Sequence, residues 1–219
     1  MTSYELMSYT VHNEPESWSD GRTGFGIPQT DRIGICPVCR EPFWKEDYKL
    51  PDDPDLQPYD DLGGVLDLYD LEWRFDDDRD IKTIEFFYNL LETYLADEDE
   101  KELYIRNKLM LSINDLVRYN TPWWEARNYT MLKRIIENRR QSLKKFNNLG
   151  MMRRDNLERM IFLYIKSEDV DLLFLAELYR QHENFKKAAE ILNKVERKGN
   201  TWKKIRKKAR RGDPFVFQL

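Results

Sequence analysis

Cysteine and histidine are nearly missing from this chain. Among 219 residues there are two of each, and both cysteines, Cys36 and Cys39, lie in one stretch, GICPVCREPFW at 34–44. So few thiols exclude a disulfide scaffold. So few imidazoles leave a Ser–His or Cys–His relay only His12 and His182 to draw on. Long apolar runs are missing too, and none approaches the roughly 20 residues of a membrane span. The opening residues, MTSYELMSYTVHNEPES, hold no basic cluster followed by an apolar stretch. The expectation is therefore a soluble, cytoplasmic protein with no membrane partner. The phosphate loop GxxxxGK, the dinucleotide turn GxGxxG, the nucleophile elbow GxSxG and the zinc-protease helix HExxH do not occur. The acids Asp76, Asp77, Asp78 and Asp80 have neither EF-hand nor nuclease spacing and read as the solvated start of a helix. A non-enzymatic protein is expected.

What is present is charge and aromatic surface. Charged residues make up 35% and aromatic residues 13%, the profile of a folded chain with a heavily charged exterior. The net charge of −4 conceals two opposed regions. Acids dominate 46–80, whereas 197–211, RKGNTWKKIRKKARR, has none. A second basic run, LKRIIENRRQSLKKF, lies mid-chain. Such asymmetry suits a polyanion at the basic end, or neutralisation by the chain's own acidic segment.

Three segments follow. Residues 1–45 lack helical periodicity and carry turn-forming glycines and Pro28, the marks of a small irregular or β module around the cysteines. Residues 46–77 form an acidic connector with three prolines, part of it alternating like a strand from Leu66 to Phe75. From 78 to 219 the apolar period becomes helical. Ile81, Ile84, Phe87, Tyr88, Leu91 and Leu95 share one stripe, and Leu103, Leu109, Ile113 and Leu116 another. Thr121–Pro122 predicts the start of a third helix carrying Trp123, Ala126, Leu132, Ile135, Ile136 and Leu143. Asp155 with Glu158 predicts the cap of a fourth. Helices over about 170–182, 184–197 and 201–211 complete a mainly α protein. The last places Trp202, Ile205 and Ala209 on one face, and the apolar ending GDPFVFQL is expected to dock on the body.

The segment 170–197 resembles a single tetratricopeptide helix pair, with Ala176 and Ala188 as the small residues, Tyr179, Phe185 and Leu192 as the large ones, and His182–Glu183 in a turn that usually holds glycine. That resemblance implies an antiparallel helix pair: one reading makes it simply the core pair of a helical domain, the other has Val170, Leu173, Glu177 and Arg180 facing a partner. A protein partner, bound by an adaptor or scaffold, is the leading expectation. The alternative is nucleic acid held by Lys203, Lys204, Arg206, Lys207, Lys208, Arg210 and Arg211.

CPVC looks like half of a zinc site: thiolates are soft, anionic ligands, and the spacing can set two sulfurs about 2.3 Å from one metal. Zinc completed by His12, His182, Glu14, Asp20, Asp31 or a second copy is one reading; a metal-free reduced knuckle is the other. Arg40 stands where such knuckles have glycine. Trp18-Ser19-Asp20-Gly21 before the knuckle, Trp123–Trp124 mid-chain and the pair at 176–188 together resemble an uncharacterised bacterial family. Its members carry a YSDG motif, a CPxCG knuckle and an ELYRxxGxFxxA helix pair. The resemblance spans most of the chain and implies no activity.

Overall fold

A computed structural model describes residues 18–21, 32–36, 39–47, 79–118 and 123–218. The acidic connector, apart from its first two residues, and Asp76–Asp78 lie outside these, as do His12, Glu14 and Asp31. The described residues are mainly helical, as the apolar periods require. Strands β1 (Ile33–Ile35) and β2 (Pro42–Trp44) form an antiparallel hairpin in the register Ile33 with Trp44 and Ile35 with Pro42. Seven α-helices follow: α1 (Arg79–Leu90), α2 (Asp99–Arg118), α3 (Tyr129–Asn148), α4 (Gly150–Lys166), α5 (Leu172–Gln181), α6 (Phe185–Leu192) and α7 (Asn200–Arg210). No described helix is long and apolar enough to cross a membrane.

Two apolar clusters hold the helices together, with α2 contributing to both. Ile105, Leu109, Ile113 and Leu116 of α2 pack with Ile84, Phe87 and Leu90 of α1, and with Ile33 and Trp44 of the hairpin. The hairpin therefore shares its core with the helices. Trp44 Nε1 donates to the Leu95 carbonyl at 3.1 Å, satisfying the one polar atom that this indole buries. Met110 joins the second cluster, formed by Leu157, Met160 and Ile161 of α4, the α5–α6 pair, and Trp202 and Ile205 of α7. In that pair Ala176 and Ala188 are fully buried, and the turn between the helices closes through an N–H···O bond from Asn184 to Tyr179.

Two helix starts differ from the sequence expectation. Trp123–Glu125 makes only one 3₁₀ turn, and α3 begins at Tyr129, capped by the Asn128 side chain, which accepts from Met131 N–H. The carboxamide is the nearer cap, and Thr121 and Pro122 lie outside the described residues. α4 begins at Gly150, not Asp155, because Leu149 alone interrupts the helical backbone after α3. Asp155 consequently sits inside the helix and caps nothing.

Candidate functional site

Two of the four residues expected to grip a protein partner are inside. Glu177 and Arg180 are 0% exposed, while Val170 and Leu173 pack half-buried against the second cluster. The reason is a closed polar network. Arg180 Nε and Nη2 donate to the Glu177 carboxylate at 2.7 and 2.5 Å, and Arg180 Nη1 donates to the Asp213 carbonyl. Gln181 Nε2 donates to Glu177 at 3.1 Å, and its own Oε1 accepts from Asn114 at the same distance. Asn114 also donates to Asp20 at 2.8 Å, and Arg118 grips Asp20 with two bonds of 2.8 and 2.6 Å. Both members of that last pair are wholly buried. Complete burial pushes the Glu177 carboxyl above its ordinary value against the pull of Arg180. The network explains the Trp18-Ser19-Asp20-Gly21 motif, whose Asp20 supplies the counter-charge for a buried arginine of α2. Ser19 N–H donates to the Phe217 carbonyl at 3.0 Å, and Trp18 pairs with Gln218 across the same short antiparallel bridge. The apolar ending thus docks on the body. The contact surface expected on α5 is occupied by the chain itself.

The cysteines sit at the end of the hairpin, Cys36 half-buried and Cys39 exposed, with neither in a disulfide. Cys36 N–H donates to the Glu41 carbonyl and Arg40 N–H to the Cys36 carbonyl, both at 2.9 Å. Arg40 takes φ = 62°, the left-handed conformation for which knuckles use glycine. The backbone therefore makes the knuckle turn in spite of the arginine. Among the described residues no three His, Cys, Asp or Glu side chains gather. Asp20 is committed to Arg118, and His182 lies at the C-terminus of α5. Among the described residues, Cys36 and Cys39 are thus the candidate ligands left at the hairpin end.

The basic residues of α7 are open. Trp202, Ile205 and Ala209 anchor the helix, and Trp202 Nε1 donates to the Leu192 carbonyl at 2.8 Å. Opposite them Lys203, Lys204, Lys207, Arg210 and Arg211 are exposed, and none makes an ion pair among the described residues. Lys208 is different, held by Asp213 at 2.5 Å. Lys203, Arg206, Lys207, Arg210 and Arg211 line one depression of about 400 Å³ floored by Trp202, and the Arg206 guanidinium lies over the indole, 4.7 Å from its centroid.

Sequence reasoning missed a further surface. Trp123 and Trp124, expected inside a helix, are 61% and 70% exposed, and Tyr129 is 70% exposed. Their place before the Asn128 cap of α3 is the one signal in the sequence that sets them outside that helix. Compared with known proteins the chain stands without a match: no family model fits it, and no curated protein or solved structure aligns with it.

Proposed function

We propose that this is a non-catalytic binding protein whose partner is nucleic acid, held through the outer face of α7. The observation that supports this reading is the set of unneutralised cations around one depression, on a helix anchored firmly enough to present them. Phosphates release condensed counterions when such cations replace them, so affinity falls steeply with salt. Of the four residues expected to hold a protein partner, Glu177 and Arg180 are buried and Val170 and Leu173 half-buried, so the open cations of α7 carry the reading. The experiment is fluorescence anisotropy of a labelled 20-base-pair duplex between 50 and 300 mM salt. The triple variant K203E/K207E/R210E, altered only at exposed positions, is expected to bind at least tenfold more weakly. Its salt slope should also fall by about one unit per cation removed. Equal affinity in the two proteins, or no binding by the wild type at 50 mM salt, would reject the reading.

For Cys36 and Cys39 we propose a structural zinc whose remaining ligands come from outside the described residues. The turn at Arg40 supports it. Metal content that drops in C36S/C39S under reducing conditions is the expected result, and equal zinc in both proteins would exclude it.

A further inference from the structure

α7 does not hold all of the unmatched positive charge. α3 carries Lys133, Arg134, Arg139, Arg140, Lys144 and Lys145 with Glu137 as its one acid. Of these, Arg134, Arg139, Arg140 and Lys144 are exposed and make no ion pair among the described residues. A trough of about 460 Å³ runs past Ile136, Arg139, Arg140 and Lys144 to Asn147 and Asn148. The same two asparagines line a second hollow of about 350 Å³, walled by Arg153, Arg154 and His182. The two hollows therefore share the Asn147–Asn148 edge, one on the outer face of α3 and the other at its corner with α4 and α5. Glu183 is the one carboxylate in the lining.

The corner is short of acceptors. Arg153 stacks over the Phe146 ring and donates to the Gln181 carbonyl, yet its Nε is buried with no partner, as is His182 Nε2. Burial pushes the Arg153 guanidinium below its ordinary value, and Glu183 at 3.7 Å offsets only part of this. Buried polar groups left without a partner are costly, so this corner of the fold carries unused polar atoms behind its cationic lining.

The other end of α3 is aromatic. Tyr129 lies seven residues before Ile136, hence on the same helix face, and Lys133 Nζ sits 4.8 Å from its ring centroid. Trp123 and Trp124 precede it, packed edge to face at 5.8 Å, and both are mostly exposed. Cations by themselves accept any polyanion; exposed rings beside them add a face on which an unpaired base stacks. A duplex keeps its base faces inside its own stack. A membrane surface would require a broad apolar stripe, and the outer face of α3 breaks Ile136 and Leu143 apart with arginines and lysines.

We propose that the groove along α3 binds single-stranded nucleic acid, with phosphates on Arg139, Arg140, Lys144 and Arg154 and bases stacked on Tyr129, Trp123 and Trp124. A 20-residue helix is about 30 Å long, a length suited to the roughly 4–16 nucleotides of known single-strand modules. The inference shares with the α7 reading the premise that nucleic acid is the partner, but it uses a different surface.

The test compares binding of labelled (dT)12 and a 12-base-pair duplex by four full-length proteins: wild type, R139E/R140E/K144E, W123A/W124A and K203E/K207E/R210E. All the altered side chains are exposed, and far-ultraviolet circular dichroism verifies that the folds are equal. Wild type is expected to prefer (dT)12, with quenching of tryptophan fluorescence. The α3 charge variant should lose at least tenfold in affinity for it and the double tryptophan variant fivefold or more. The α7 variant should stay within twofold. Loss of (dT)12 binding in the α7 variant with none in the α3 variant would overturn this inference and leave the α7 reading standing. Loss of (dT)12 binding in both the α3 charge variant and the tryptophan variant, with the α7 variant binding both oligonucleotides like the wild type, would keep the inference and remove the α7 reading. Loss with the charge variant but not with the tryptophan variant would reject a single strand in favour of an unselective polyanion surface. No binding of either oligonucleotide by wild type at 50 mM salt would reject both.

Discussion

Arg40 and Glu183 occupy the left-handed region at φ = 62° and 65°, where a Cβ crowds the backbone. An L side chain there costs roughly 1–2 kcal/mol. Both positions are ones where the corresponding motif, a cysteine knuckle or a paired-helix turn, carries glycine. The backbone demand survives although the residue does not meet it. R40G and E183G are therefore each expected to raise stability by about 0.5–1 kcal/mol, read as a higher Tm by differential scanning calorimetry. E183G gives up only the long Arg153 contact at 3.7 Å. A lower Tm in both would show that those turns are not left-handed. Substitution works in the opposite direction at Glu177. Glu177→Ala would leave the Arg180 guanidinium buried without its counter-charge and cost about 3–5 kcal/mol, measurable by urea unfolding.

At the scale of elements, the helices were legible wherever an apolar stripe had a core to face. α2 and α7 match their stripes because burial follows the 3.6-residue period, whereas α1 ends at Leu90, before Leu91 and Leu95, and leaves Tyr88 exposed. The start of α3 was not legible, since Thr-Pro satisfies any turn while the choice of Asn128 as cap depends on where Trp123 and Trp124 lie. The paired-helix resemblance puts Glu177 and Arg180 on a partner-facing surface, whereas both are buried. Their partners, Ser19, Gln181 and the Asp213 carbonyl, include two that the local pattern of α5 cannot supply. The α2–α4 contact shows the same limit. Glu102 accepts from Arg159 on α4 at 2.7 and 3.0 Å and from Arg106 at 2.7 Å, and Arg106 and Asn156 bond each other beside it. Arg159, against the opposing effect of burial and with help from Arg106, holds the Glu102 carboxyl below the ordinary 4.5. Because the folded value lies below the unfolded one, the clamp is fully stabilising above about pH 4.5 and is lost as pH falls through the folded value. Glu102→Gln should cost about 1–2 kcal/mol at pH 7 and flatten the acid limb of a stability–pH curve. An acid limb as steep as that of the wild type would mean the clamp carries no charge-dependent stability.

For the whole molecule, the notable feature is that the Trp18–Gly21 turn meets the segment Phe215–Gln218. Ser19 bonds Phe217, Asp20 neutralises Arg118 of α2, and the Arg180 guanidinium lies over the Phe217 ring at 5.2 Å. Phe146 of α3 touches Phe215 with ring centroids 5.5 Å apart, so the C-terminal ends of the two basic helices approach each other through this tail. The two segments can dock as one unit or as two separate attachments, and the difference is measurable. Asp20→Ala leaves Arg118 buried with only Asp115 and should cost about 3–5 kcal/mol. Phe217→Ala empties a core position and should cost about 3 kcal/mol. Each change also loosens the Trp18–Gly21 turn on which the other depends. The double variant should therefore lose at least about 0.5 kcal/mol less than the sum of the single losses in urea unfolding. Strict additivity would separate the two segments. Coupling would make the tail the latch that fixes the N-terminal motif and, through Phe215 and Phe146, the approach of α3 to α7. The two cationic faces proposed for nucleic acid would then keep a defined spacing only while that latch is closed.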